Sequence, residues 1–251
     1  MRRLLPRRPS SCLSEIDKYR SCMSAWAKNL VKATKIALQD GGDPVQAAGA
    51  ERYMKNIAPF LGIPTPQRRA ALKSAWAELT PPSSDQLGEA CLQLMKLRER
   101  EYHYAAYDLI DKWVRQADEY FLAEYMERLL TTTPWWDTVD GLVNAGVSPL
   151  CYTYDATQIL DEWSESGNRW LIRAAIGHQR GWKKNTDVSR VLQLCDRHWD
   201  NKEFFIAKAI GWALRDITRF DAPSVKKFLN THHLTNSVAI REAKRGLQRV
   251  T

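Results

Sequence analysis

Apolar residues recur along this chain at intervals of three and four from about residue 12 onward, and no stretch sustains the strict alternation of a half-buried strand. The pattern predicts an all-helical protein. Clusters of Pro, Gly, Asp and Asn divide it into segments. Asp40-Gly41-Gly42-Asp43-Pro44 closes an opening helix, and Thr80-Pro81-Pro82-Ser83-Ser84 separates two further ones. Gly62-Ile63-Pro64-Thr65-Pro66 reads as a turn in which Thr65 caps a helix with Pro66 at its first position, and Asp221-Ala222-Pro223 starts another. Helices cut in this way run roughly 10 to 16 residues with short connections, the arrangement of helical hairpins stacked in series.

A weak internal repeat supports stacking. Segments that carry an aromatic at or beside their start begin at residues 101, 135, 168 and 202, offsets of 34, 33 and 34 positions. A period of this length belongs to HEAT-like or TPR-like helix pairs; a bundle of similarly long helices is the alternative. The register makes Asp140, Arg173 and Lys208 near-equivalent points on successive inner helices. A solenoid displays such points as a row along its concave face, where charges form a binding surface.

Composition sharpens this picture. The 251 residues carry a formal net charge of +8, with a pI near 9.3. Such an excess suits a polyanionic partner, or an ordinary basic protein. The five cysteines are scattered without a C-x-x-C pair, which argues against a zinc ribbon or a disulfide framework and fits a reducing compartment. No apolar run approaches the length of about 20 residues needed to span a bilayer. Residues 1–11 read as a flexible basic arm and 12–251 as a single domain, a monomer. A cytoplasmic, nucleoid-associated location is expected, with organelle targeting by the basic N-terminus the lesser alternative.

Two clusters carry candidate chemistry. In Trp135-Trp136-Asp137-Thr138-Val139-Asp140, Trp136 and Asp140 are four apart and share a helix face. Asp137 suits the first turn of the helix. That leaves Asp140 as a capping acid, a surface acid over a core tryptophan, or a functional carboxylate in an aromatic-walled cleft. In the second cluster, Ala209-Ile210-Gly211-Trp212-Ala213-Leu214-Arg215-Asp216, Gly211 costs about 1 kcal/mol in a helix interior relative to alanine and implies close packing or a close ligand. No glycine-rich phosphate loop, metal-ligand spacing or nucleophile signature occurs, so an enzyme of this sequence is expected to need no metal and no cofactor.

These stretches carry a resemblance. Tyr53-Met54-Lys55-Asn56, the segment from Pro59 to Arg69, Trp135-Trp136-Asp137-Thr138-Val139-Asp140, Trp170-Leu171-Ile172-Arg173, and the segment from Lys202 to Arg215 resemble the AlkD-type DNA alkylation repair glycosylases in order and spacing, over roughly residues 50 to 245. The resemblance implies a HEAT-like helical-repeat solenoid whose concave groove holds duplex DNA. It makes Asp140 the catalytic carboxylate, with Trp136 and Trp212 as cleft tryptophans. It makes Arg173 the cleft arginine that clamps a flanking phosphate, sets Arg215 near the DNA backbone, and puts Tyr53 by the cleft. Lys208 extends the basic row. The chain departs from the family at Ile172, where a second basic residue is common, and at Gly177-His178, where the helix usually continues with apolar residues.

The implied reaction is removal of N3- or N7-alkylated purines such as 3-methyladenine and 7-methylguanine. A cationic base leaves as a neutral molecule and needs no general acid. Positive charge then develops on the deoxyribose, and a fixed carboxylate beside it stabilises that charge and orients the attacking water. No lysine stands out as a Schiff-base nucleophile, which implies a monofunctional enzyme leaving an abasic site. The resemblance also implies action without base flipping. The alternatives are a non-catalytic DNA-structure binder on the same scaffold and a helical-repeat protein that binds peptides.

Overall fold

The computed structural model describes residues 23–232 and 237–249. The basic arm 1–11, Cys12, Cys22 and His233 lie outside the described residues. The chain is all-helical and forms a helical repeat. Helix α1 (Ala25–Gln39) is capped by the Ser24 hydroxyl and stops at the Asp40-Gly41-Gly42 break, where Asp43 caps α2 (Pro44–Tyr53). Helix α3 (Thr65–Ala75) starts one residue earlier than the turn chemistry predicts. Pro64 holds the cap position and has no side-chain oxygen to offer, while the Thr65 hydroxyl faces the Arg68 guanidinium. In the preceding loop, Gly62 adopts a φ of +84°, where a Cβ would collide with the Asp43 carbonyl. The amides of Leu61, Gly62 and Ile63 all donate to the buried carboxylate of Glu101. Helix α4 (Ser84–Met95) opens on a capping box between Ser83 and Gln86.

The predicted segment starts coincide closely with helix starts: α5 (Arg100–Trp113), α7 (Trp136–Leu142), α10 (Arg169–Ile176) and α12 (Phe204–Thr231). Between them run α6 (Glu127–Thr131), α8 (Ser148–Thr153), α9 (Thr157–Glu165) and α11 (Val188–Arg197), and α13 (Ser237–Leu247) follows. The structure departs from uniform hairpins in two ways. First, π-helical turns at Phe121–Met126 and Val143–Val147 join α6 to the residues before it and α7 to α8. Pro149 lacks the amide that an uninterrupted α-helix through this region would use, and the second π turn lies just ahead of it. Second, α12 breaks at Asp221, with φ −143° and ψ 64°: two helices run on across a kink there, and the Asp221 carboxylate caps the distal one by accepting the Ser224 amide, as the Asp221-Ala222-Pro223 pattern predicts.

Two apolar cores result. One runs from Ala27 to Ala175 and the other from Ile172 to Ala243. They meet at α10, where every residue from Trp170 to Ile176 is buried. Helix α7 belongs to the first core and α12 to the second, so α10 is the seam on which residues from both converge. Among the described residues no helix is long and apolar enough to cross a membrane.

Candidate functional site

Asp140 occupies the last turn of α7 and points across the seam. Its Oδ1 accepts from Arg173 Nε at 2.9 Å and its Oδ2 from Arg173 Nη2 at 2.8 Å, a bidentate pair between residues 33 positions apart. Arg173 Nη1 also donates to the Phe205 carbonyl at 2.7 Å. The Arg173 side chain is only 3% exposed. The repeat register predicted that Asp140 and Arg173 would share a row, and they are in direct contact. The phosphate clamp expected of Arg173 is a different matter: its guanidinium is buried and directed at Asp140 and Phe205. Arg180, which the sequence reading passed over, reaches Asp140 Oδ2 at 3.7 Å and is a third exposed. It lies in the turn after α10, beyond the repeat register.

Trp212 lies opposite. Four cationic groups surround its ring: Arg173 at 5.0 Å, Arg180 at 5.1 Å, Lys208 at 5.4 Å and Arg215 at 5.7 Å. Lys208 and Arg215 both donate to Glu242 of α13, a residue 34 positions after Lys208 and therefore on the repeat period. Sequence reasoning missed Glu242 because the repeat was traced no further than residue 202. Burial by itself raises the Glu242 pKa, but the Lys208 hydrogen bond and the charges of Lys208, Arg215 and Arg245 outweigh it and hold the carboxyl below its usual range.

Gly211 is explained by the same packing. A Cβ there would stand 2.7 Å from Glu242 Cβ and 3.0 Å from Ala239 Cα, so α13 lies directly on the glycine. Gly211→Ala is expected to destabilise the fold by about 1–3 kcal/mol through overpacking. Chemical denaturation checks this, and a wild-type midpoint would refute the close approach.

Trp136 meets Tyr53 edge-to-face, with ring centroids 6.2 Å apart. Tyr53, at the end of α2, is 70% exposed. These two rings form a pair at the first core, while Trp212 stands at the second. Asp137 is in the first turn of α7 as expected, yet it is more than a helix-start acid. It forms an ion pair with Arg100, a residue 1% exposed, at 2.6 Å and accepts the Tyr104 hydroxyl. Burial and the Asp137 charge push the Tyr104 phenol well above its ordinary pKa. Arg100 further bonds the Thr133 carbonyl and the Thr138 hydroxyl. Asp137 and Asp140, three residues apart, thus serve opposite neighbours: one ties α7 back to α5, the other ties it forward to α10.

A cavity of about 480 Å³ adjoins the seam, with Asp140, Arg173, Arg180 and Trp212 in its wall and Val143, Ile176, Val191, Ile217 and Phe220 supplying apolar surface. Exposed Lys183, Lys184 and Arg219 stand at the same opening. The turn 177–187 shapes one side. It uses positive φ at Gly181 and Lys183 and is anchored from within by buried His178, which bonds the Ala175 carbonyl and Gln179. Burial lowers the His178 pKa to about 4, so the ring is neutral at physiological pH. The unusual Gly177-His178 pair therefore ends α10 and starts the basic turn. Among the described residues, no three His, Cys, Asp or Glu side chains are grouped to hold a metal ion.

The fold and site define a helical-repeat protein with a carboxylate set among arginines and an indole. A model of the family described as DNA alkylation repair enzyme matches residues 34–247, and the chain belongs to that family, whose substrate is DNA. Among solved structures it is similar to a predicted DNA alkylation repair enzyme from Enterococcus faecalis. The TM-score is 0.75 and the identity 26%, over 82% of this chain and 96% of that one. No curated protein matches it.

Proposed function

We propose that this chain is a monofunctional DNA glycosylase that releases cationic N3- and N7-alkylated purines from duplex DNA and leaves an abasic site. The observation that supports this most is Asp140: a carboxylate fixed at both oxygens, in the wall of a cavity shared with Trp212. An N-alkylated purine already carries the positive charge that makes it a leaving group. The protein's task is to stabilise the cationic sugar left behind, and a preorganised carboxylate does so without reorganising at the moment of reaction. The indole of Trp212 offers its negative face to the same charge, and Trp136 with Tyr53 supplies a second aromatic surface. Arg173 acts here as the group that orients Asp140. Phosphate contacts fall to the exposed Lys183, Lys184 and Arg219 and to the partly exposed Arg180, while Lys208 and Arg215 are bonded to Glu242.

A duplex oligonucleotide bearing one 7-methylguanine, incubated with the protein and then treated to cleave abasic sites, tests the activity. Cleavage at the lesion supports it, and an intact strand refutes it. One observation favours the second reading, a non-catalytic DNA binder: Arg173 already neutralises Asp140, as it would in a purely structural ion pair. An intact strand together with tight duplex binding selects that reading.

Duplex affinity is expected to fall steeply with salt, since each phosphate contact releases counterions. Arg180→Ala and Lys184→Ala should each lower the slope of log K against log salt by about one, independent of sequence. Fluorescence anisotropy across a salt series measures this, and a flat salt dependence would remove the basic opening from the interface.

A further inference from the structure

Glu242 lies on α13, across from the Asp140 cluster. Its side chain is 2% exposed and takes three cations. Oε1 accepts from Lys208 Nζ at 2.9 Å and Arg245 Nη1 at 3.0 Å, and Oε2 accepts from Arg215 Nη1 at 2.7 Å. Lys208 and Arg215 stand four residues before and three after Trp212 on α12, so one carboxylate pins the cations on both flanks of the indole. Two glycines bring it there. Gly211 lets α13 lie on α12, and a Cβ on Gly246 would stand about 3 Å from Arg215 Cγ and Cα.

The charges around Trp212 are unequal. Arg173, Arg180, Lys208 and Arg215 surround the ring, while Asp140 and Glu242 are the carboxylates that bond them. Uncompensated cations at this place would oppose a positive charge growing on the substrate sugar and would draw DNA phosphates into the site. We propose that Glu242 is a positioning residue for the reaction: it immobilises and neutralises the Lys208–Arg215 flank of Trp212, withholding those cations from phosphate so that the developing sugar charge meets the indole. This rests on the glycosylase reading above. The carboxylate acts through Lys208 and Arg215 and does not touch substrate.

Charge and shape make opposite demands on this position, which separates such a role from simple packing. Glu242→Gln keeps the shape and loses the charge. It is expected to tighten duplex binding and to steepen the salt slope by between about one and two phosphate contacts. It should also slow single-turnover release of 7-methylguanine roughly tenfold, the size of a unit charge acting across about 10 Å at an effective dielectric of about 20. Glu242→Asp keeps the charge and changes the shape, and should retain both the wild-type slope and most of the rate. The reverse pattern, with Gln silent and Asp impaired, overturns the proposal, as does a Gln variant with wild-type slope and rate. If Glu242→Gln fails to fold, the double variant Lys208→Gln/Glu242→Gln leaves Arg215 as the one cation released of the two that flank Trp212 on α12. Its slope should be steeper than wild type by about one phosphate contact, and a wild-type slope overturns the proposal. If the wild type releases no base, the glycosylase reading fails, while the salt slopes still judge the charge assigned to Glu242.

Discussion

Asp140→Asn is expected to slow release of 7-methylguanine or 3-methyladenine by on the order of 10²–10³-fold, the usual cost of removing one well-placed stabilising group. The amide keeps one oxygen for Arg173 and loses the charge that a cationic sugar requires. Arg173 retains the Phe205 carbonyl but loses its counter-charge while buried, so the melting point should fall by roughly 10 °C as well. Asp137→Asn should share the destabilisation without the loss of rate. Its carboxylate is the counter-charge of Arg100, which is buried, and accepts the Tyr104 hydroxyl. Breaking such a buried pair costs about 3–5 kcal/mol, or roughly 10 °C in melting temperature for a chain of this size. Protein that remains folded should excise near the wild-type rate. Single-turnover kinetics and thermal melting on both variants make the comparison. A fully active Asp140→Asn beside a folded but inactive Asp137→Asn would mean that the wrong carboxylate has been assigned.

Arg173→Ala separates an orienting role from a phosphate clamp. The guanidinium is buried and makes three hydrogen bonds, two to Asp140 and one to Phe205. Its removal should cost about 3–5 kcal/mol, because Asp140 loses its bidentate partner and keeps only Arg180 at 3.7 Å. Excision should drop by roughly 10²-fold as the carboxylate loses its fixed direction. The salt slope of DNA binding, in contrast, should not change, since a buried arginine releases no counterion from phosphate. A slope shallower by about one would return Arg173 to the DNA backbone and make the pairing with Asp140 a feature of the free protein alone.

Much of the architecture is readable from local pattern. The three- and four-residue apolar spacing, with its Pro and Gly breaks, marks the helices because main-chain helix bonds and cap preferences act over a few residues. The offset of 33–34 positions brought Asp140 and Arg173 into register, and the contact between them follows once equivalent helices stack. Trp212 and Gly211 stood out for their chemistry and conformational cost. Other features needed the third dimension. Periodicity tells which residues share a helix face but not how deep that face lies, and α10, caught between two cores, is buried all round. Arg173 is therefore buried, with its guanidinium turned to Asp140 and Phe205. Arg180 sits in a turn outside any period. Glu242 falls on the period, but only the approach of α13 to Gly211 gives it its three cations. Asp137 and Asp140 look alike in sequence. Residues three apart stand only about 60° apart round a helix axis, so their roles diverge through their neighbours: Arg100 of α5 meets Asp137 in the first turn of α7, and Arg173 of α10 meets Asp140 near its end. Pairings between charges more than 30 positions apart are decided by how helices stack, and no short window of sequence encodes that.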